Sequence, residues 1–242
     1  MAFHIIIPAR FQSTRFPGKV LKPLAGKPML QWVWERACQA NPESVVIATD
    51  TEMVAEAARA WGAEVVMTAV DHLSGTERLS EVVRLFPRYQ PDDIVLNLQG
   101  DEPLIPIESI HQVVQGLEQN PDAAVSTLCV RLTPDRVPSF DAVKVVFNHQ
   151  GFAMYFSRLA IPYRSDIHYL HIGLYAYRAH FLKQVPQLPV CPFERAESLE
   201  QLRILYAGYS IHVGITERAM PPDVNTAEDL ARAEQWLVQA EG

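Results

Sequence analysis

The chain begins with cations that have no neighbouring acid. They are Arg10, Arg15, Lys19, Lys22 and Lys27. The first 34 residues contain no Asp or Glu, although the whole chain carries a net charge of −7. The first three cations follow the apolar run Phe3–Ile7, and arginine forks and lysine ammonium groups bind phosphate oxygens well. The pattern favours a polyphosphate site at the end of a buried strand over a solvated basic loop, which is the other interpretation of such a run.

A pair of carboxylates follows another apolar run. Asp101 and Glu102 come soon after Ile94–Leu98, and ligands of parallel sheets bind at the carboxyl ends of the strands. A carboxylate there suits Mg²⁺, which would bridge to phosphate oxygens. Asp also caps turns near proline, so spacing alone leaves both roles of Asp101 open. The sequence contains neither GxxxxGKS/T nor GxGxxG, so the predicted phosphate site belongs to another class.

Composition narrows the class of protein. The 242 residues are 48% apolar and 20% charged, which is typical of a soluble globular domain, and we expect residues 1–242 to form one. The acidic balance argues against a nucleic-acid partner. Cys38, Cys129 and Cys191 have no metal or disulfide spacing, which predicts reduced thiols in the cytoplasm. Phe3–Ile7 is too short for a signal sequence or a membrane span.

The apolar pattern predicts the elements that position these groups. Strands are predicted at Phe3–Ile7, Val45–Ala48, Glu64–Met67, Ile94–Leu98, Ala123–Val130 and Val143–Phe147. Helices are predicted at Pro28–Ala40, Glu52–Trp61, Thr76–Phe86 and Ile107–Gln119. Asp50 or Thr51 suits the cap of the second helix, and Gly62 suits its end. This alternation predicts an α/β fold of three layers with a mostly parallel, doubly wound sheet.

After residue 140 the pattern becomes richer in strands. Further strands are predicted at Ala153–Phe156, Ile172–Tyr177 and Ser210–Ile215, and helices at Arg178–Gln184, Ala196–Ala207 and Thr226–Gln239. Turn sequences at Asn148–Gly151 and Gly208 indicate that these strands add to the sheet in antiparallel fashion. The sequence contains no repeat or long linker that would mark a domain boundary.

Several motifs together resemble one enzyme family. They are PARFQSTRFPGK (8–19), GKPM (26–29), ATD (48–50), DHLSGTERLSEV (71–82), LQGDEPLIP (98–106), AVKVV (142–146), YFSRLAIP (155–162), HIGLYAYR (171–178) and LEQLRILYAG (199–208). Their order and types resemble the cytidylyltransferases that act on 3-deoxy-manno-octulosonate (Kdo), the CMP-Kdo synthetases of Gram-negative bacteria. The first motif is shared with CMP-sialate synthetases, whereas the combination is more specific to the Kdo enzymes.

The resemblance implies a fold like that of nucleotide-diphospho-sugar transferases, and a reaction. CTP and Kdo would give CMP-Kdo and pyrophosphate with Mg²⁺, for lipopolysaccharide synthesis. By resemblance, Arg10, Arg15 and Lys19 would hold the triphosphate, with Arg15, Lys19 and Asp101 catalytic. Asp101 would also ligate the metal. The cytosine pocket would be lined by Ala9, Ser74, Gly75 and Gln99.

The resemblance also assigns a sugar-acid site. Its residues would be Arg78, Arg158, His171, Tyr175, Glu200 and Gln201. Each also has an ordinary structural interpretation: Arg158 as an exposed charge at a strand end, Tyr175 and His171 as core residues. Glu200 and Gln201 would open a helix, where an acidic side chain is favourable.

Two segments depart from the family pattern. Relatives read VDTPEDL near the end, whereas this chain has Asn225 at the place of the first, metal-side Asp. Either Asp101 holds the metal largely alone, with at most an amide from Asn225, or Asp223 or Asp229 contributes, or the activity is reduced. The segment before His171 is shorter and has Leu170 where relatives commonly have Arg, which leaves a variant sugar such as an amino-Kdo open.

Proteins of other functional classes are also compatible with the sequence. They are a sialate or guanylyl nucleotidyltransferase, a GT-A-type glycosyltransferase and a non-catalytic nucleotide-binding regulator. A glycosyltransferase usually carries a D-x-D motif, and only Asp101-Glu102 stands here. The resemblance also implies a homodimer formed near Pro162–Leu182. The aromatic residues expected there, on the surface or in the core, are Tyr163, Tyr169, Tyr175, Tyr177 and Phe181. We expect the sugar-binding and dimerisation portion at 140–215.

Overall fold

Strands and helices alternate at first, and strands dominate later. The protein was analysed as a computed structural model, which describes residues 1–11, 16–132, 142–217, 221 and 223–240. The strands are β1 (Phe3–Ala9), β2 (Pro23–Leu24), β3 (Lys27–Pro28), β4 (Ser44–Thr49), β5 (Glu64–Met67), β6 (Ile94–Asn97), β7 (Val125–Leu132), β8 (Lys144–Phe147), β9 (Ala153–Ser157), β10 (His168–Arg178) and β11 (Ile211–Ile215). The helices are α1 (Met29–Gln39), α2 (Glu52–Ala60), α3 (Gly75–Leu85), α4 (Ile107–Gln119), α5 (Ala179–Leu182), α6 (Pro192–Glu197), α7 (Gln201–Tyr206) and α8 (Ala227–Ala240). No described helix has the length and apolar character needed to cross a bilayer.

A single large sheet organises these elements. Its main path has the order β11-β7-β10-β6-β1-β4-β5, and β8 and β9 extend it beside β10. β1 is parallel to β4 and β6, whereas β10 is antiparallel to β6, β7 and β8. The predicted mostly parallel sheet with antiparallel additions is therefore confirmed. Because β1 and β6 are adjacent and parallel, the loops that follow them leave the same edge of the sheet.

The alternation of strand side chains builds the two core layers. In β1, Ile5 and Ile7 pack into one apolar cluster with α1 and α4, and Ile6 packs into the opposite cluster with α3. All three are fully buried, and burial of each such side chain contributes about 1.5–3 kcal/mol. The three-layer arrangement follows from this double burial.

A smaller apolar cluster holds the last helix. Leu24, Met29 and Leu104 pack with Val224 and with Ala233 and Leu237 of α8. Because Leu104 follows the loop after β6, this cluster brings the segment around Val224 next to that loop. The N–H of Val224 donates to the Asp101 carbonyl oxygen at 3.0 Å.

Some predicted elements differ from the structure. The expected helix Ala196–Ala207 is wrong: α6 ends before Ser198, which adopts a left-handed backbone with φ 54°, and α7 begins at Gln201. Thr51 stands at the cap of α2 without a side-chain bond to the helix, and Asp50 instead accepts from Arg78. Gly62, with φ 85°, does end α2 as predicted.

Candidate active site

Lys19 and Asp101 meet at the predicted edge of the sheet. A short 3₁₀ turn, Lys19–Leu21, begins after Gly18, whose φ of 67° suits glycine. Lys19 Nζ donates to Asp101 Oδ2, and the two side chains are only 15% and 22% exposed. The cation loop and the acid loop therefore converge, as the sequence predicts. Arg15, the third cation of that prediction, lies outside the described residues.

The segment before α8 completes this ionic group. Asn225 Oδ1 accepts from Lys19 Nζ at 3.5 Å. Asp223 is exposed at the surface, yet partial desolvation and the neighbouring Asp101 charge raise the pKa of Asp223 to about 6. Asp229 points elsewhere, since its Oδ2 accepts from the N–H groups of Asn225 at 3.0 Å and Thr226 at 2.9 Å. It serves as a cap at the start of α8.

Glu102 is the most confined acid of this group. Burial, with the charges of Asp223 and Asp101 added, raises the pKa of Glu102 well above its usual value. Its Oε2 atom is shut off from solvent and has no hydrogen-bond partner among the described residues. Asp101, Glu102 and Asp223 thus lie close together, with Lys19 paired to Asp101, and clustered carboxylates attract cations.

The oxygen donors present fit a magnesium ion bound together with phosphates. The described residues contain no group of three His, Cys, Asp or Glu placed to hold a metal by themselves. Mg²⁺ does not require such a group, because it usually takes one or two carboxylates and fills its shell with water and substrate phosphate oxygens. Asp101, with Asn225 or Asp223 beside it, meets that requirement.

The residues predicted to line the cytosine pocket lie around the start of α3. Ser74 caps this helix by accepting the Glu77 N–H at 3.2 Å. Gly75 follows at the first helical position, where a Cβ atom would stand 3.2 Å from Pro8 Cγ. Ala9 ends β1 and is fully buried. Glycine therefore lets α3 approach the end of β1 closely.

A polar cleft lies next to that helix start. Ser74 Oγ donates to Glu200 Oε1 at 2.9 Å, which joins a predicted nucleotide residue to a predicted sugar residue. Burial raises the pKa of Glu200, while hydrogen bonds from Ser74 and Thr76 oppose the shift. The cleft is lined by Thr76, Asn97, Gln99, Tyr175, Tyr177, Val185, Glu200, Gln201, Arg203 and Ile204. Four predicted residues, Gln99, Tyr175, Glu200 and Gln201, are therefore brought together.

His171 lies behind this cleft as a neutral ring. Its Nε2 is 3.0 Å from Thr127 Oγ1, and its ring packs against Phe156 and Tyr175 at centroid distances of 5.0 and 5.3 Å. Burial lowers the pKa of His171 to about 3. It can accept or donate a hydrogen bond, but it carries no charge near neutral pH.

Arg10 and Arg78 lie at the other side of the α3 start. The guanidinium of Arg78 is fully buried and donates to Asp50 Oδ2 at 2.8 Å and to Thr68 Oγ1. Burial lowers the pKa of Arg78, and the nearby charge of Arg10 lowers it further. Arg78 thus joins the ends of β4 and β5 to α3 and is absent from the lining of the cleft.

Arg158 is also engaged by the protein. Its Nε donates to the Glu197 carbonyl at 2.8 Å and its Nη2 to the Ser198 carbonyl at 3.3 Å. These bonds satisfy the carboxyl end of α6. Lys144, which is fully buried, fixes the same turn by donating to the carbonyls of Ala142 and Arg158. A direct sugar contact by Arg78 or Arg158 stays a prediction.

Sequence reasoning missed several residues of the cleft. Asn97 is 2% exposed and accepts from Gln99 Nε2 at 3.0 Å. The two side chains stand two positions apart at the end of β6, and this spacing places them on one face. Tyr177 and Arg203 came from motifs already quoted, but only the fold assigns them to this cleft.

Comparisons with known proteins agree with this geometry. A model of the cytidylyltransferase family matches residues 4–212. The 3-deoxy-manno-octulosonate cytidylyltransferase of Marinobacter nauticus is 48% identical, with 96% of this chain and 95% of the relative covered. That of Nitrosococcus oceani is 46% identical, with 100% and 98% covered.

A solved structure extends the agreement to the whole fold. A CMP:2-keto-3-deoxy-manno-octonic acid synthetase complexed with CTP is 40% identical and superposes with a TM-score of 0.93. The match covers 99% of this chain and 100% of that one. The chain therefore belongs to the cytidylyltransferase family, within which it groups with the 3-deoxy-manno-octulosonate cytidylyltransferases.

Proposed function

We propose that this chain transfers the cytidylyl group of CTP to Kdo and releases pyrophosphate. The observation that carries the proposal is the convergence of Lys19 and Asp101 beside a cleft lined by Gln99, Tyr175 and Glu200. The ionic group supplies charges for a triphosphate and its metal, and the cleft supplies hydrogen-bonding groups for a polyhydroxy acid. Both lie at one sheet edge, so the two substrates can meet.

The chemistry requires charge stabilisation more than covalent help. The anomeric hydroxyl oxygen of Kdo forms a bond to the α-phosphorus of CTP, and the bond from that phosphorus to the bridging oxygen breaks. Pyrophosphate leaves with the electron pair, and the hydroxyl proton passes to solvent. Lys19, with Arg10 and Arg15, would offset the charge on the departing group. Side chains of the cleft would hold the hydroxyl in line with the breaking bond.

Mg²⁺ is part of this proposal. Asp101 would hold the ion, which would supply Lewis-acid stabilisation of charge on the phosphate and lower the pKa of the attacking hydroxyl. Lys19 then has to leave Asp101, because the phosphates compete for its ammonium group. The ion pair therefore holds both side chains in place, where each can exchange its partner for a substrate group.

A pyrophosphate-release assay tests the function directly. CTP, UTP and GTP are offered as donors, with Kdo, 8-amino-Kdo or sialic acid as acceptor. We expect release only with CTP, and the highest kcat/KM with Kdo. A higher value with 8-amino-Kdo would move the substrate to that variant, and release with sialic acid alone would refute the assignment. Asp101→Asn serves as the background control.

We also propose a homodimer and a cytoplasmic enzyme. A groove is lined by Val146, Phe147, Met154, Tyr155, Ile161, Pro162, Ser165, Ile167 and Tyr169. Met154 and Tyr163 are 66% and 85% exposed beside it, whereas Tyr177 and Phe181 belong to the core. Exposed apolar area of this kind suits a partner surface. The groove supports dimerisation through the 140–215 portion. The free thiols Cys38, Cys129 and Cys191 suit a reducing compartment.

Light scattering after size exclusion tests the dimer. Met154→Glu would place a charge in the apolar groove, so we expect the variant to elute as a monomer. Met53→Glu is the matched control, since Met53 is 58% exposed on α2. A parent protein that is monomeric at micromolar concentration would refute the dimer.

A further inference from the structure

The loop that leads from β5 into α3 lies on the surface of the protein. It covers residues 69–73, and every residue in it except His72 is exposed. The side chains of Val70 and Leu73 are 78% and 85% exposed, so burial of apolar area contributes little to holding this loop. Its shape therefore depends on hydrogen bonds to α3, the helix that it enters.

Glu81 of α3 holds the loop at two points. Its Oε2 atom accepts the Ala69 N–H at 3.0 Å, and His72 Nε2 donates to the same oxygen. The side chains of His72 and Glu81 are only 14% and 24% exposed. Burial alone would raise the pKa of Glu81, but the bonds from His72 and Ala69 lower it below its usual value. Glu81 thus serves as an anionic anchor for the loop.

Two other side chains of α3 hold the same loop closer to the helix start. Glu77 Oε2 accepts the Leu73 N–H at 2.9 Å, and Arg78 Nη1 donates to the Ala69 carbonyl at 3.3 Å. Glu81 lies one turn beyond Glu77 and reaches the end of the loop farthest from the helix. Its loss would free that end, while the bond at Leu73 remains.

The end of the loop faces the predicted nucleotide site. A Cβ atom on Gly75 would stand 3.2 Å from Pro8 Cγ and 3.7 Å from Gln99 Oε1. Ser74, which precedes Gly75, has an extended backbone with φ −137° and ψ 165°. The direction from which the loop arrives therefore sets where the Ser74 backbone and hydroxyl lie relative to Gln99.

We infer that Glu81 is a positioning residue for CTP binding. By anchoring the loop 69–73, it holds Ser74 and Gly75 in their binding geometry before the nucleotide arrives. Preorganisation of this kind raises affinity because the loop need not be ordered on binding. The inference rests on the proposed function, since it takes CTP as the nucleotide.

Calorimetric titration of CTP without any sugar tests the inference. We expect Glu81→Ala to raise the Kd of CTP about five-fold, because two bonds to the loop are lost. Glu81→Gln keeps an acceptor for the Ala69 N–H and should raise the Kd less than two-fold. His72→Ala removes one of the two bonds from the other side and should give an intermediate value. Glu56→Ala, at an exposed acid on α2, is the matched control.

Two further measurements separate positioning from general stability. Amide hydrogen exchange of a peptide covering the loop should be faster in Glu81→Ala than in the parent. The KM for CTP should rise with the Kd, while kcat at saturating CTP and the KM for Kdo stay within two-fold, because Glu81 acts through the loop and not on the reacting groups.

The opposite results would overturn the inference. It is wrong if Glu81→Ala binds CTP like the parent, whether or not its melting temperature falls, or if its loop exchanges no faster. In either case a parent that binds CTP and releases pyrophosphate leaves the proposed function intact. A parent that binds no CTP would overturn the proposed function and this inference together.

Discussion

Two polar groups near this edge of the sheet satisfy their charges and hydrogen bonds in opposite ways. One, here called the ionic wall, consists of Lys19, Asp101, Asp223 and Asn225. The other, the hydroxyl wall, consists of Ser74, Thr76, Tyr175 and Glu200. In the ionic wall, the charge of Lys19 is paired with that of Asp101. The hydroxyl wall is held by hydrogen bonds such as Ser74 to Glu200 at 2.9 Å.

This difference separates a side that must reorganise from a side that is already formed. Both side chains of this pair are largely buried, so much of its Coulombic gain is offset by the cost of removing the two charges from water. A triphosphate carries several negative charges and can replace Asp101 as the partner of Lys19. The carboxylate released in this way is then available to a cation. The hydroxyl wall needs no such exchange, since its bonds orient Glu200 before any ligand arrives.

Substitutions in the ionic wall should have the largest effect on rate. Lys19→Ala and Asp101→Asn each remove a group that stabilises charge in the transition state. We expect each to lower kcat by on the order of 10²-fold or more, measured as pyrophosphate release at saturating CTP and Kdo. Lys22→Ala is the control, because Lys22 is an exposed cation three residues away.

A double variant that combines Lys19→Ala with Asp101→Asn tests whether the two side chains act together. If Lys19 and Asp101 act as one exchanging pair, the double variant should lose much less than the product of the single losses. Full additivity would mean that the two side chains act independently. That result would contradict the exchange of partners described above.

How well the sequence predicts each wall depends on whether its contacts are local. β1, β4 and β6 are near-continuous apolar runs, so their type and order are local properties. The meeting of Lys19 with Asp101 follows from two adjacent strand ends. The contact of Lys19 with Asn225 does not follow locally, because it depends on Val224 entering the apolar cluster under α8.

The hydroxyl wall was harder to predict for a physical reason. Its α6–α7 corner depends on the left-handed backbone of Ser198, and serine carries no local signal for that conformation. The burial of Arg78 could not be predicted locally either, because its partner Asp50 follows a distant strand, β4. Long-range partners of this kind become visible only when the sheet is assembled.

Glu200 offers a test of the hydroxyl wall through pH. Burial raises its pKa in the folded state, so its charged form destabilises the fold. That cost is absent below the unfolded value of about 4.3 and grows as pH rises through the folded pKa. Glu200→Gln keeps acceptors for Ser74 and should be more stable than the parent at pH 8. The difference should shrink toward pH 4.

Urea unfolding across this pH range measures the effect. Glu118→Gln is the control, because Glu118 is exposed on α4 and should give no pH-dependent difference. A Glu200→Gln variant that is less stable than the parent at pH 8 would show that Glu200 is satisfied as an anion, like the carboxylates of the ionic wall.

Substitution of Asn97 should have a smaller effect, and this effect should be on substrate recognition. Its amide oxygen holds Gln99 Nε2 at 3.0 Å, which fixes the direction in which Gln99 faces the cleft. Losing one such bond costs about 1 kcal/mol, so we expect Asn97→Ala to lower kcat/KM for the sugar about five-fold. A double-mutant cycle with Gln99→Ala measures the coupling, and its absence would show that Gln99 is oriented by other contacts.

Substitution of Ser198 should have the smallest effect, and it should change only the stability of the fold. Its φ of 54° costs a non-glycine residue about 1 kcal/mol, which glycine avoids. Ser198→Gly should therefore raise the melting temperature by about 2–4 °C. Its carbonyl still accepts from Arg158 Nη2, so the corner keeps its bond. Ala207→Gly, at an ordinary φ of −78° after α7, should instead lower the melting temperature. If both glycines lowered it, the corner of the hydroxyl wall would be relaxed rather than strained, and its shape would depend on the Ser198 side chain.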